Sequence, residues 1–241
     1  MTVVFLTALM VGGATMLGAG MGFLFRQGSD RLRRRFLDLS AGIMLAAAIL
    51  GLILPSAQYG GALGPVVTTL GVMTGAVAME ALEGLLPRLR RLAGVDADAP
   101  EGALLFVAAI LIHKLPEGLA AGVGFGTESL GEGLLIAGGI ALQNIPEGMV
   151  VIVPMLHAGA TPRRAVAWSL ATAVTEAAGC LAGFWAVTLA RAILPFCLAF
   201  AGGTMLLVLL TQMLPQAREN RSEKWVLAGF CGMLMCSQWL E

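Results

Sequence analysis

Long apolar segments recur from one end of this sequence to the other, and they constrain the fold more than any other feature. An α-helix needs about 20 consecutive apolar residues to cross the hydrocarbon core of a bilayer. Segments of that length fill the sequence and leave no room for a soluble domain. The 241 residues are 58% hydrophobic and 12% charged, too apolar for one soluble core of this size. The sequence therefore predicts an all-α integral membrane protein, with one polytopic domain over residues 1–241.

Hydropathy and charge together predict the topology. Eight spanning helices are expected, at about 3–25, 37–57, 62–84, 102–125, 132–156, 165–189, 193–214 and 224–240. The odd-numbered connections hold 13 of the 15 basic residues. Because basic residues are enriched in cytoplasmic loops, these connections are predicted to be cytoplasmic and both termini to lie outside.

Two internal repeats indicate a pseudo-symmetric bundle. The tetrapeptide that starts at Leu115 (LPEG) recurs thirty positions later, starting at Ile145 (IPEG). A weaker echo relates residues 41–57 to residues 201–217. The related halves would meet at the fourth and fifth helices, which is where transporters with internal repeats commonly bind substrate.

Polar residues cluster at one depth in these apolar helices. Seven of them fall near the predicted bilayer midplane: His113, Lys114, Glu117, Gln143, Asn144, Glu147 and Glu176. A charge at the centre of a membrane helix costs at least about 2.5 kcal/mol, so such clusters are usually functional. The alternative is a purely structural network of ion pairs and hydrogen bonds that holds the bundle together.

Helical periodicity predicts two adjacent sub-sites that share Glu117 and Glu147. One pairs His113 with Gln143, and the other pairs Lys114 with Asn144. Imidazole, carboxylate and amide ligands suit zinc and neighbouring divalent metals. Two prolines, Pro116 and Pro146, cannot donate to the carbonyls of Ile112 and Leu142, so each helix is expected to kink and to expose a carbonyl beside the site.

The paired motifs resemble those of the ZIP (Zrt/Irt-like) family of metal transporters, in particular its bacterial GufA-like branch. The matching segments are HKLPEG, from His113 to Gly118, and QNIPEG, from Gln143 to Gly148. The resemblance implies eight helices with outside termini, a metal site between the fourth and fifth helices, and uptake toward the cytoplasm. It implies that the transported ion binds His113, Glu117, Gln143 and Glu147, that Asn144 and Glu176 line a second site, and that Met44 adds a thioether to the first.

One residue departs from the family pattern. Many members carry asparagine after the first-motif histidine, whereas this chain carries Lys114. A protonated lysine has no lone pair with which to bind a metal, so its ammonium would take the place of a second ion. Three carboxylates and one ammonium leave a net charge of minus two, which one divalent ion neutralises. The sequence therefore predicts a site for one transported metal.

The functional expectation is transport of divalent transition metals, with zinc first and iron, manganese, cobalt and cadmium as alternatives. A carrier of protons or small organic cations, with the same carboxylates and Lys114 as a relay, is the competing hypothesis. A membrane metalloprotease is disfavoured because no helix carries an H-E-x-x-H pair. We expect no enzymatic activity, no prosthetic group and no nucleic-acid partner. The expected location is a bacterial inner membrane, and the resemblance is compatible with a homodimer.

Two minor features complete the expectations. Glu80 and Glu83, near the end of the third span, are interpreted either as a vestibule or as a solvated helix end. The four cysteines lack paired spacing and are expected to be small buried residues rather than a disulfide frame or a thiolate site.

Overall fold

The structure is a computed structural model that describes residues 2–24, 30–92, 102–127, 130–157, 160–189 and 191–240. All regular structure in these ranges is helical. The prediction of an all-α protein is therefore confirmed for the described part of the chain.

Eight helical segments follow one another along these ranges. They are α1 (Thr2–Leu24); α2, built from Asp30–Ala46, a π-helical stretch Ala47–Ile53 and Leu54–Tyr59; α3 (Gly64–Leu92); α4 (Gly102–Val123); α5 (Leu130–His157); α6 (Pro162–Leu189); α7, built from Leu194–Val208, a π-helical stretch Leu209–Met213 and Leu214–Glu219; and α8 (Glu223–Leu240). The largest departure from the predicted spans is α3, which continues through the arginines of the third connection to Leu92. Residue 25, the last of the first predicted span, lies outside the described residues.

Five of the described helical segments are long and apolar enough by themselves to cross a membrane. They lie at Thr2–Leu24, Arg34–Tyr59, Gly61–Leu85, Pro162–Leu189 and Arg191–Glu219. Their outer faces remain apolar: on α3 the exposed side chains Val66, Leu70, Met73 and Val77 form one stripe at helical spacing. An apolar stripe of this length facing away from the bundle is typical of a surface that contacts lipid.

The helix pairs follow the correspondence that the repeats suggest, with α4 related to α5 and α2 to α7. The most extensive contacts join α4 to α6, α1 to α5, α3 to α7 and α2 to α8. If α4 corresponds to α5, then the α4–α6 pair corresponds to α5–α1. If α2 corresponds to α7, then α2–α8 corresponds to α7–α3. The bundle is thus organised as two related sets of helices.

The echo between residues 41–57 and 201–217 corresponds to a shared irregularity of α2 and α7. Each π-helical stretch ends immediately before a Leu-Pro pair, Leu54-Pro55 in α2 and Leu214-Pro215 in α7. Proline has no N–H to donate to the carbonyl four residues earlier, and π-helical turns are rare in ordinary helices but frequent at functional sites. The repeat therefore extends to an uncommon local backbone geometry.

Small residues allow α4 and α5 to approach their partner helices closely. Gly118 of α4 lies against the backbone carbonyl of Glu176 on α6, and Gly148 of α5 lies against that of Thr15 on α1. A Cβ at either glycine would overlap the facing backbone. Because lipid provides no hydrophobic drive between helices, close packing of this kind contributes much of their association. The glycine of each P-E-G motif therefore has a packing role.

The same close approach shows a third repeat, which sequence analysis did not detect. The interface residues of α1 and α6 recur at identical spacing: Thr15, Gly18 and Gly22 on α1, and Glu176, Gly179 and Gly183 on α6. Gly18 faces Ile145 of α5, and Gly179 faces Leu115 of α4, the first residues of the two related tetrapeptides. Thr15 and Glu176 thus occupy equivalent positions in the two halves.

The cysteine prediction is correct for one residue and wrong for two. Cys180 is buried, Cys197 is half-buried, and Cys231 and Cys236 are exposed on α8. The two exposed thiols lie on a helix whose outer face is apolar, so an apolar segment did not imply burial inside the protein. All four cysteines are free.

We expect Gly118→Ala and Gly148→Ala each to destabilise the protein by about 1–3 kcal/mol, the usual cost of overpacking. The added methyl group meets backbone, which cannot move aside as a flexible side chain can. Thermal unfolding of the purified protein in detergent measures the effect. The matched control is Gly138→Ala on α5, where a Cβ meets no neighbouring atom, so the midpoint should stay the same or rise with the better helix propensity of alanine. Equal losses at all three glycines would contradict the packing role.

Candidate functional site

The ammonium of Lys114 lies at the centre of a buried polar cluster. Its Nζ is 2.5 Å from Oε2 of Glu117 on the same helix, 2.6 Å from Oε2 of Glu147 on α5, and 3.7 Å from Oε1 of Glu176 on α6. It also donates to Oδ1 of Asn144 at 2.6 Å. The side chain of Lys114 is only 1% exposed. We call these five residues the lysine–carboxylate cluster.

Glu176 is fixed in this cluster from three sides. Thr15 Oγ1 donates to Glu176 Oε2 at 2.8 Å, and Asn144 Nδ2 donates to Glu176 Oε1 at 2.6 Å. The same amide group of Asn144 donates to the carbonyl of Val11 on α1 at 3.2 Å. Charged groups removed from water need such partners to be stable. The cluster therefore joins four helices: α1, α4, α5 and α6.

The repeat explains why these residues meet. Lys114 and Asn144 occupy equivalent positions of the two motifs, thirty residues apart, and each lies three residues before a glutamate. On a helix, residues three apart project from neighbouring positions of one face. With α4 packed beside α5, both glutamates and both preceding polar residues share one interior volume. Thr15 and Glu176, the equivalent residues of α1 and α6, complete it from the opposite side.

His113 belongs to a second, more accessible polar group. Its Nε2 is 3.2 Å from Oε1 of Glu83 on α3, and Gln212, in the π-helical stretch of α7, donates its Nε2 to the same oxygen at 2.9 Å. The side chains of His113 and Glu83 are 16% and 27% exposed. Glu83 was interpreted either as part of a vestibule or as part of a solvated helix end. Its contacts with His113 and Gln212 fit a polar vestibule better.

Gln143 is fully buried, and neither its Oε1 nor its Nε2 has a hydrogen-bond partner among the described residues. A buried amide without partners is costly, about 1–3 kcal/mol for each group, and needs an explanation such as a bound ion or water. His113 bonds to Glu83, and the sub-site that His113 and Gln143 are predicted to share stays a prediction. Met44 is buried in the apolar core on α2, and its role as a ligand stays a prediction.

No three histidine, cysteine, aspartate or glutamate side chains in the described ranges are arranged to hold a metal ion. The carboxylates of Glu117 and Glu147 converge on Lys114 instead. The ligands predicted from the sequence also include the amide of Gln143 and the thioether of Met44, which are not among those four side-chain types. The ligand assignment from sequence therefore stays a prediction.

The sequence pointed to every member of the lysine–carboxylate cluster and to Glu83, but not to Thr15 or Gln212. Thr15, Glu83 and Gln212 approach the site from α1, α3 and α7. Thr15 could have been found from its spacing to Gly18 and Gly22, which matches the spacing of Glu176 to Gly179 and Gly183. For Gln212 the repeats offer no comparable signal.

A family model described as ZIP Zinc transporter matches residues 93–237, more than half of the chain. The chain belongs to the ZIP zinc transporter family. Both P-E-G motifs and Glu176 fall within the matched residues. The resemblance seen in the motifs is therefore confirmed, and with it the interpretation as a membrane transporter rather than an enzyme.

Individual relatives agree with the ZIP assignment. Zinc transporter GufA of Myxococcus xanthus is 33% identical over 231 residues, which cover 92% of this chain and 91% of that protein. Zinc transporter ZIPB of Bordetella bronchiseptica is 34% identical, covering 92% and 76%. Zinc transporter ZupT of Shigella dysenteriae serotype 1 is 27% identical, covering 97% and 95%. These similarities support metal transport as the activity of this ZIP chain.

We expect Thr15→Val to weaken this site without enlarging any cavity. Valine has nearly the shape of threonine but cannot donate to Glu176, and a hydrogen bond to a charged group contributes about 1.5–3 kcal/mol. Thermal unfolding in detergent should show a loss of that size. Thr172→Val on α6 is the control, because Thr172 is equally buried but donates to the carbonyl of Ser169 within its own helix. A loss at Thr172 as large as at Thr15 would contradict the role of the inter-helix bond.

Proposed function

We propose that this protein carries divalent transition-metal cations, zinc before iron, manganese, cobalt and cadmium, through a site at the membrane midplane between α4 and α5. The observation that carries the proposal is the lysine–carboxylate cluster, in which Glu117, Glu147 and Glu176 converge from three helices on one buried volume. Charged groups inside a membrane bundle usually mark the path of an ion. Membership of the ZIP family supports a metal as that ion.

The cluster holds one transported metal, and Lys114 takes the place of a second. Glu117, Glu147 and Glu176 carry three formal negative charges, and the ammonium of Lys114 reduces the total to two. One divalent cation then neutralises the buried site. The contacts of Lys114 to Glu117, Asn144 and Glu147, all between 2.5 and 2.6 Å, support this role, because the ammonium already occupies the centre of the predicted second sub-site.

The transported metal binds on the other side of the shared carboxylates. His113 and Gln143 stand one helical turn before Glu117 and Glu147, at equivalent positions of the repeat. The amide of Gln143 has no hydrogen-bond partner among the described residues. This supports metal binding beside Gln143, because its oxygen is free to bind a cation. His113, whose Nε2 lies 3.2 Å from Oε1 of Glu83, would supply an imidazole nitrogen to the ion. Met44 is the additional soft ligand of this sub-site.

The proposed topology has eight spanning helices and both termini outside, so that metal moves inward to the cytoplasm of a bacterial cell. Besides the five segments that qualify by composition, α4, α5 and α8 have 22, 28 and 18 residues, about the length that a bilayer requires. Basic side chains at the beginnings of α2 and α8 line one common pocket, which supports placing the first and seventh connections on the same side. A homodimer is compatible with this arrangement.

We expect proteoliposomes that contain the wild-type protein to take up zinc along a gradient, whereas His113→Ala and Glu147→Gln reduce the initial rate at least about tenfold. Each substitution removes a ligand or a charge from the site, and losing a buried charge interaction of a few kcal/mol corresponds to such a factor. A zinc-sensitive dye enclosed in the vesicles measures the rate. The control is Glu132→Gln on α5, an acidic residue near the beginning of that helix and outside the cluster.

The same vesicles distinguish the competing functions. Uptake that is unchanged in both His113→Ala and Glu147→Gln would exclude this site as the metal path. Proton or organic-cation flux without flux of any divalent metal, in folded protein, would favour the relay hypothesis. Lost flux in a folded Glu147→Gln protein is not expected if the cluster only holds the bundle together.

We expect Lys114→Met to destabilise the metal-free protein by about 3–5 kcal/mol, because one partner of a buried ion pair is removed and three carboxylates stay uncompensated. Zinc should then raise the unfolding midpoint of Lys114→Met more than that of the wild type, since the net charge is more negative and the second sub-site is free. Thermal unfolding in detergent, with and without zinc, checks both effects.

A double substitution provides the control for this experiment. Adding Glu117→Gln to Lys114→Met removes both members of the 2.5 Å ion pair, so the combined loss should be smaller than the sum of the single losses. Strictly additive losses would show that the two charges do not interact.

The number of bound zinc ions tests the role of Lys114 directly. Elemental analysis should find two zinc ions per Lys114→Asn protein and one per wild-type protein if Lys114 replaces a metal. Equal numbers would contradict this role.

A further inference from the structure

A second concentration of charge lies at the end of the bundle where α2 and α8 begin. A cavity of about 380 Å³ is lined there by Arg31, Arg34, Arg35, Asp38, Asn220, Arg221, Ser222, Lys224 and Trp225. Pockets for small ligands usually have volumes of about 300–1,000 Å³. We call this cavity the basic pocket. It belongs neither to the lysine–carboxylate cluster nor to the group around His113.

Among the side chains that the structure describes, the lining carries five basic groups and one carboxylate. The carboxylate, Asp38, is buried and accepts a hydrogen bond from Ser222 Oγ at 2.5 Å. The five basic residues are exposed. Glu219 and Glu223, which flank the connection in sequence, are not among the described lining residues. The pocket therefore presents a strong excess of positive charge to any ligand that enters it.

The floor of the pocket is a fixed turn. Ser222 bonds to Asp38 through its side chain and to the carbonyl of Ala217 through its backbone N–H at 3.0 Å. Arg34 donates from Nη1 to Oδ1 of Asn220 at 3.0 Å, which joins the beginning of α2 to the turn. Arg221 has a φ of 52°, a left-handed conformation that non-glycine residues adopt infrequently. The backbone of the connection is thus held in one shape, with Arg221 projecting from a constrained position.

An aromatic side chain and two helix amino ends complete the pocket. The guanidinium of Arg35 lies 5.4 Å from the ring centroid of Trp225, within the range of a cation–π contact. Tryptophan is enriched at the membrane–water interface. Arg31 and Lys224 stand in the first turns of α2 and α8, so the positive ends of two helix dipoles adjoin the cavity. Helix amino ends bind phosphate through free backbone N–H groups.

We propose that the basic pocket binds a phosphate group, carried either by the headgroup of an anionic phospholipid or by a soluble phosphate. Basic residues in these connections are sufficient to orient the helices in the membrane, but orientation does not require them to line one cavity with a tryptophan and a braced turn. Basic pockets between membrane helices at the lipid interface are suited to acidic headgroups. A zinc ion is excluded as the ligand by the positive charge of the lining. The pocket is a binding site separate from the transport path.

Native mass spectrometry of the purified full-length protein tests this proposal. Titration with phosphatidylglycerol should give tighter binding than titration with phosphatidylcholine, whose choline group opposes the pocket charge. We expect Arg221→Gln combined with Lys224→Gln to weaken phosphatidylglycerol binding by roughly 10- to 30-fold, because each basic residue near an anionic lipid contributes substantially to its attraction. Arg163→Gln combined with Arg164→Gln is the matched control, since it removes two exposed arginines at the beginning of α6, outside the pocket, and should change binding less than about twofold.

Inorganic phosphate separates the two sources of the ligand. Competition by phosphate at millimolar concentration on wild-type protein would support the pocket as a site for soluble phosphate, and lipid binding without competition would assign it to a headgroup. A charge-retaining variant, Arg221→Lys with Lys224→Arg, should keep most of the lipid binding, because the positive charge of these side chains is what attracts the phosphate. Equal binding of both lipids with no phosphate binding, or equal losses in the pocket and control variants, would overturn the proposal.

Discussion

The compensation of buried charge at Lys114 is the interaction on which the rest of this structure depends. An ammonium that is 1% exposed persists in an apolar bundle only if opposite charges surround it. Glu117, Glu147 and Glu176 come from α4, α5 and α6, and Thr15 joins from α1. Four helices must therefore keep their relative positions for any one of these charges to be tolerated. The same requirement keeps a negatively charged volume inside the bundle, which a transporter of cations needs.

Close helix packing makes this convergence possible. Gly118 and Gly148 bring α4 against α6 and α5 against α1, and the closest backbone groups belong to Glu176 of the cluster and to Thr15, which donates to Glu176. A larger residue at Gly118 would displace Glu176, and one at Gly148 would displace Thr15, which bonds to Glu176. The P-E-G motif thus combines a site function, through its glutamate, with a packing function, through its glycine. Because the motif is repeated, each half of the bundle combines a buried glutamate with a close helix–helix contact.

The sequence predicted more of the site's membership than of its contacts. Lys114, Asn144 and Glu147 were expected together because the repeat places them at equivalent helical positions, and they are together. The bond between His113 and Glu83 of α3 was not predicted. Periodicity fixes the direction in which a residue projects from its own helix. It does not say which of several neighbouring helices supplies the nearest polar atom, so contacts with α3 and α7 could not be predicted.

By itself, the sequence determined the fold class, the approximate helices, the family and the members of the lysine–carboxylate cluster. Each of these depends on local composition, spacing or motif, which are readable along one chain. Only the tertiary structure decided that α4 packs on α6 and α5 on α1, that Thr15 bonds to Glu176, and that the first and seventh connections build one basic pocket. The physical reason is that these features join residues as far apart as 161 to 186 positions. Such contacts arise from the packing of whole helices, which no local pattern encodes.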